Sequence, residues 1–205
     1  MGLRERNAER TRELIAETAV TLFLEHGYEH TTMEQIAEQA QIGTTTLYRY
    51  YPTKDQMVIG PLALRGQMAD ELRARPEDEA LDLALGHALV ALITTPRPNA
   101  DRLALLTTVL ESSPVLQTRL LEEFIKERDL LEQAIAERLG RPRDDLFCRM
   151  TARLATSVLE VLGGLDPRGG GPTDNAAAIR ESVALMRAAL ETLRLEPPVL
   201  PRLDA

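Results

Sequence analysis

Residues 31–54 read TTMEQIAEQAQIGTTTLYRYYPTK, and the fold turns on how this stretch is parsed. Thr32 followed three positions later by Gln35 is a capping-box pattern, and it predicts a helix start. Met33, Ile36, Ala37 and Ala40 then recur on one face, as a short amphipathic helix requires. Gln41 and Ile42 form a tight turn. A second short helix occupies 43–50 and stops at Pro52, because the residue before proline avoids the α region. Two short helices about a tight turn have the shape of a helix-turn-helix. Three of the four tyrosines fall within 44–54 and the chain has no tryptophan, so hydrogen-bonding aromatic surface is concentrated here.

The second of these helices divides into two faces. Gly43, Thr46, Leu47 and Tyr50 lie together and suit packing inward. Thr44, Thr45, Tyr48 and Arg49 lie on the other side, short and polar first, longer towards the C-terminus. A helix that enters the major groove needs this division. Threonine can bond a base edge or touch a thymine methyl, and arginine can grip guanine or a phosphate. Tyr48 can reach a phosphate with its hydroxyl. Thr32 and Lys54, at the starts of the flanking helices, are placed to hold phosphates on either side. The competing reading is a solvated polar face with tyrosines in a core.

Working outward, Ile15, Ala19, Leu22 and Phe23 predict a helix over about 9–26, stopped by Gly27. Thr53 with Gln56 repeats the capping-box pattern and predicts the next helix start. Gly60-Pro61 predicts a kink or break soon afterwards. Further amphipathic helices are expected over about 78–93, 99–110, 113–139, 145–162 and 173–193, separated by proline or glycine. The proline-rich segment 197–205 is expected to be a mobile tail. The fold class is therefore all-α, with about nine helices: a helix-turn-helix domain over 1–53, then a helical bundle over 54–196.

Composition agrees with this and sets limits. The chain has 205 residues, 44% of them hydrophobic and only 3% aromatic, with leucine and alanine prominent, a balance that favours helices over sheet. No apolar run reaches the roughly 18–20 residues of a membrane span, and the charged N-terminus has no signal core. The expected location is cytoplasmic. The single Cys148 suits a reducing compartment and is expected to be a small buried hydrophobe. The net charge of −8 gives no help to DNA binding, and residues 1–55 carry six basic against nine acidic side chains. Affinity for a polyanion must come from local placement: Arg4, Arg6, Arg10, Arg12, Arg49 and Lys54.

The motifs of 11–57 carry a resemblance. Phe23, Gly27, Tyr28, Thr31, Thr32, Ile36, Ala37, Ala40, Thr46, Leu47, Tyr48, Tyr50, Thr53 and Lys54 stand in register with the DNA-binding domain of the TetR family of bacterial transcription regulators. The resemblance implies that Thr32, Thr44, Thr45, Tyr48, Arg49 and Lys54 face DNA, and that an arm over 4–12 enters the minor groove. It departs from the family pattern at Gln41, where glycine is usual and a left-handed backbone would be strained. Gly43 replaces the usual serine cap, Tyr51 replaces phenylalanine, and Thr44-Thr45 replace a common basic or glycine choice, which leaves base preference open.

The family's C-terminal helices dimerise and enclose a small-molecule pocket. In this chain Ile179, Val183, Met186, Leu190 and Leu193 are spaced 4-3-4-3, a coiled-coil-like seam, and Phe147, Met150, Leu154, Val158 and Val161 form a similar stripe. Spacing alone fits core packing equally well; the resemblance favours a homodimer. The stretch 54–165 also looks like the subgroup with an acyl-CoA-like ligand domain. A pocket there would use Met68, Leu72, Leu89, Leu106, Val109 and Phe124 as apolar wall, with Arg65, His87, Thr107, Glu111 and Arg153 as polar contacts. No cofactor is expected beyond such an effector.

Enzymatic motifs are missing. His26 and His30 lack an H-E-x-x-H context, 169–171 is no phosphate loop, and no nucleophile elbow occurs. Glu122, Glu123, Lys126 and Glu127 read as a wet helix face. No metal site is expected. The expectation is a homodimeric, ligand-responsive repressor of a pseudo-palindromic DNA operator, released by a small hydrophobic effector and independent of membranes. The alternative is a helical interaction module without specific DNA binding.

Overall fold

The computed structural model describes residues 2–94 and 100–162, together with 184, 187, 188, 190–192, 194 and 195. The described residues contain helices and no strand: α1 Leu3–His26, α2 Met33–Gln39, α3 Thr44–Tyr50, α4 Asp55–Leu62, α5 Gln67–Arg73, α6 Leu81–Thr94, α7 Ala100–Ser112, α8 Pro114–Leu139 and α9 Leu146–Leu162. The described residues of 184–195 are helical as well. The helix expected over 173–193 otherwise lies outside the described residues, as does the tail over 197–205. No helix of the described residues is long and apolar enough to cross a membrane.

The chain forms two compact units, Met1–Leu64 with Arg97–Ile125, and Arg65–Pro96 with Lys126–Ala205. These units do not follow the expected boundary at 53/54. The reason is packing: α7 lies on α1 and α4 and joins the first unit, as do the opening turns of α8.

In the first unit α1 is the spine. Ile15, Ala16, Ala19, Val20 and Phe23 are buried along one face, where they meet α2 and α7. The helix begins earlier than the apolar periodicity predicted. Its N-terminus is closed by the Gly2 amide donating to Glu5 Oε2 at 2.7 Å, and good helix formers fill the first turns. Residues 4–12, expected as an arm, are therefore the opening turns of a helix. At the other end Gly27, with φ 84°, releases the chain into a turn, and Tyr28 packs edge-on against Phe23 with ring centroids 5.2 Å apart.

The predicted break near Gly60-Pro61 falls slightly later. Pro61 lies in the last turn of α4, where its missing amide leaves one carbonyl, four residues back, without its intrahelical donor, and the helix ends at Leu62. The chain turns through Arg65 and Gly66, at φ 53° and 86°, before α5 starts. A Cβ on Gly66 would come 3.2 Å from Leu130 Cδ1, so both conformation and space favour glycine there.

In the second unit this turn is pinned by Glu127. The residue is 1% exposed, and its carboxylate accepts from the Gly66 amide at 2.5 Å and the Met68 amide at 2.9 Å. The expected wet face is wrong at this position. Glu127 falls on the buried stripe of α8 that runs through Leu116, Leu120, Phe124, Leu131 and Ile135. Burial pushes its pKa up, opposed by the amides of Gly66, Met68 and Ala69. Elsewhere in the unit, Arg75 bonds Glu79 through two nitrogens, each at 2.8 Å, and His87 Nδ1 reaches the same carboxylate at 2.8 Å. Arg138 closes the loop from behind by donating to the carbonyls of Arg75, Pro76 and Glu79.

Candidate nucleic-acid interface

The pair α2 and α3 is built as the capping pattern predicted. Thr32 Oγ1 accepts from the Gln35 amide at 3.2 Å, and Gln35 Oε1 accepts from the Thr32 amide at 2.8 Å. Two amides at the start of α2 are thus satisfied, and the Thr32 O–H is left as a remaining donor. Met33, Ile36 and Ala37 are buried beneath. The turn closes through the Ile42 amide on the Ala37 carbonyl at 2.9 Å, a reverse-turn bond of the kind that ends helices. Gln41 takes φ 55°, so the strain anticipated at this glycine-type position is present.

Helix α3 follows, capped at Gly43 by backbone alone. Leu47 is fully buried and fixes the helix against the rest of the unit, while Thr46 and Tyr50 are half-buried. Thr44, Thr45, Tyr48 and Arg49 are all exposed, with Tyr48 at 44%. The division into two faces follows the expected one, apart from Gly43, which is exposed. Tyr48 Oη lies 3.5 Å from Glu34 Oε1, a long contact that brings one carboxylate of α2 beside the exposed face. The Tyr50 ring lies beneath two guanidiniums, Arg49 at 5.4 Å and Arg12 of α1 at 5.8 Å. Sequence reasoning missed Glu34 and the pairing of Arg12 with Tyr50. The polar spacing within α2 hints at the first; the second joins helices far apart in the chain and leaves no local signal.

Lys54 has internal partners that the sequence did not announce. Its ammonium donates to the Tyr28 carbonyl at 2.5 Å and the Thr31 carbonyl at 2.8 Å, and it sits 4.1 Å from the Tyr28 ring centroid. Two of its three donors are used inside the protein, so Lys54 acts first as a clasp on the turn between α1 and α2. Burial lowers its pKa, with Glu29 opposing. Burial raises the Tyr28 phenol to about 12, helped by Asp55 and Glu29 and opposed by Arg119. Thr31, itself buried, completes the turn by donating to the Leu22 and Gly27 carbonyls at 3.2 and 2.9 Å. The Thr53–Gln56 capping box is not formed. Lys54 takes the cap position of α4 in the αR region, whereas a side-chain cap needs extended backbone.

The residues expected to line a pocket fall into two sets. Leu106, Val109 and Phe124 are buried in the first unit, and Met68, Leu72 and Leu89 in the second. The expected polar set is otherwise engaged or outward. Thr107 donates to the Leu103 carbonyl at 3.0 Å and His87 pairs with Glu79, while Arg65, Glu111 and Arg153 are exposed. A groove of about 570 Å³ in the second unit is lined by Asp82, Arg187, Ala188, Leu190, Glu191 and Arg194, none of which belongs to either set.

On α9, Leu146, Phe147, Met150 and Leu154 are 67, 50, 43 and 47% exposed. Cys148, Ala152 and Ala155 are buried on the other side. The helix thus carries an exposed apolar face. Val158, expected on the same stripe, is buried, and the side chain of Val161 lies outside the described residues. Burial raises the Cys148 thiol, as suits a packing residue.

Comparison with known proteins bears on the same regions. Residues 15–59 match the family described as bacterial regulatory proteins, tetR family, and residues 79–191 match the MftR C-terminal domain. A transcriptional regulator of Streptomyces glaucescens, TcmR, is 31% identical over 170 residues, 79% of this chain and 74% of that protein. The transcriptional repressor AcnR of Corynebacterium diphtheriae is 27% identical over 183 residues, covering 84% and 88%. Among solved structures, NalD, the secondary repressor of a multidrug efflux pump in Pseudomonas aeruginosa, aligns with a TM-score of 0.55 at 21% identity, over 90% of this chain and 97% of that one. A SmeT–triclosan complex aligns at 0.54 and 23% identity, covering 94% and 100%.

Proposed function

The chain belongs to the tetR family of bacterial regulatory proteins, and from that premise we propose that it is a homodimeric, ligand-responsive repressor of a pseudo-palindromic operator. It is a DNA-binding transcriptional regulator. The observation that carries the mechanism is the exposed polar face of α3, held rigid from behind by buried Leu47 and by the closed turn at Gln41-Ile42. Thr44, Thr45, Tyr48 and Arg49 meet base edges and the flanking backbone in this reading, and Thr32 adds a phosphate contact from the start of α2. Lys54 contributes mainly by holding the turn beneath them.

The apolar face of α9 supports self-association, since three or four large exposed side chains on one helix face favour a partner of the same kind. A two-fold dimer would present two α3 helices to successive major grooves, about 34–36 Å apart. The effector is proposed to be small and hydrophobic, with an acyl chain as the leading class. The relative solved with triclosan is a precedent for such a ligand in that protein. A catalytic role forms no part of the proposal.

The direct test is to select duplexes from a random library and measure binding by gel shift. Enrichment of an inverted repeat supports the reading, and no enrichment over bulk DNA contradicts it. Light scattering in solution tests the dimer, with a monomer at micromolar concentration the contrary result.

A further inference from the structure

We propose that Arg12 and Arg49, seated about the ring of Tyr50, form a two-pronged grip for backbone phosphate at the C-terminal end of α3. The inference rests on the DNA-binding reading and adds a site to it. An acidic protein that binds a polyanion has to gather its cations locally, and this is a place where it does so. Arg12 comes from α1 and Arg49 from the last turn of α3, and both lie within 6 Å of one aromatic centroid. Arg102 of α7 is close enough, with Arg12, to oppose the burial-driven rise in the neighbouring Tyr51 phenol. Three helices of the first unit therefore bring positive charge to the Tyr50-Tyr51 corner.

The chemistry suits phosphate better than a base. A guanidinium resting on a ring face is positioned by the cation–π attraction, while its in-plane N–H donors remain available for bidentate bonding. The carbonyl end of α3 carries partial negative charge and favours cations at its margin. Arg12 is on α1 and is not part of the exposed α3 face that carries Thr44 and Thr45. Its present partner is Glu9, at 3.3 Å and with both side chains about half exposed, an ion pair weak enough for a phosphate to displace. Arg12 thereby takes part as a helix residue beside Tyr50 of α3, which is a different role from that of an arm in the minor groove.

The test uses full-length protein and two fluorescent duplexes of equal length, one selected from a random library and one of unrelated sequence, titrated across a range of KCl. Arg12→Ala should lower affinity for both duplexes by the same factor, several-fold, and should reduce the slope of log K against log salt by about 0.9. Tyr50→Leu should reduce the slope likewise, and Tyr50→Phe should leave it unchanged because the ring is kept. Glu9→Gln, which frees Arg12 without touching the core, should strengthen binding to both duplexes. Thr45→Ala should weaken the selected duplex alone. Wild-type slope and affinity in Arg12→Ala, or no gain in Glu9→Gln, would overturn the grip. Wild-type protein that binds neither duplex would overturn the DNA-binding reading along with it.

Discussion

Ser113 Oγ donates to Glu29 Oε1 at 2.6 Å, joining the start of α8 to the turn between α1 and α2 across 84 positions of sequence. Ser113 is 1% exposed, and its Oγ also accepts from the Leu116 amide at 3.4 Å, as a helix cap. The same turn is held from the other side by Lys54. Two side chains from separate elements therefore fix the segment on which α2 begins. Ser113→Ala should cost about 1–2 kcal/mol of stability, from the lost cap and charged hydrogen bond together. Urea unfolding followed by circular dichroism measures this, and a wild-type midpoint would count against the joint.

Lys54 gives a separate prediction because its role can be divided by salt. Lys54→Met keeps the aliphatic stem but removes two bonds to the Tyr28 and Thr31 carbonyls, and should destabilise the fold by about 1–3 kcal/mol. A clasp leaves the salt dependence of DNA binding near the wild-type value once folded protein is compared. A phosphate contact would reduce the slope by about 0.9. A reduced slope in folded Lys54→Met would restore the role first expected for it.

Gln41 offers a gain. At φ 55° a non-glycine residue is strained by roughly 1–2 kcal/mol, of which glycine's extra freedom in the unfolded chain returns about half. Gln41→Gly should therefore raise the melting temperature modestly, by about 0.5–1 kcal/mol in stability. A lower melting temperature would show that the Gln41 side chain contributes something the backbone does not reveal.

Glu127 and Glu79 should respond to pH with opposite signs. Burial raises the folded pKa of Glu127, so the folded state binds its proton more tightly than the unfolded state. Stability from this group is fully present below the ordinary value of 4.5 and is lost as pH rises through the raised folded value. Glu79 is held at about 2, first by the Arg75 hydrogen bond and with help from His87, so its contribution is present above 4.5 and is lost as pH falls towards 2. Urea midpoints measured across this range for wild type, Glu127→Gln and Glu79→Gln isolate each slope by difference. Equal slopes in wild type and Glu127→Gln would remove the first assignment.

How much of this was legible depended on whether the deciding interactions were local. The α2 cap, the left-handed Gln41, the two faces of α3 and the limits of α8 follow from residues within one or two turns of each other. The opening of α1 was misjudged because periodicity marks only where apolar burial begins, and residues 3–8 are helical by propensity and an N-terminal hydrogen bond. Glu127 was misassigned because a charged side chain is ordinarily read as solvated, and the backbone partners of Lys54 were not foreseen, since both side chains reach backbone elsewhere in the fold. The Glu127 signal was present in its position on the Leu116–Ile135 stripe. Nothing local could have paired Arg12 with Tyr50.

The central claim is that the exposed face of α3 reads DNA sequence. It is tested most directly by replacing Thr44, Thr45, Tyr48 and Arg49 together with alanine and measuring the ratio of affinities for the selected and unrelated duplexes. With the helix and buried Leu47 intact, the account predicts native circular dichroism and a ratio that collapses towards one, since each lost base contact removes about 1–3 kcal/mol of discrimination. A folded variant that keeps the wild-type ratio would contradict it.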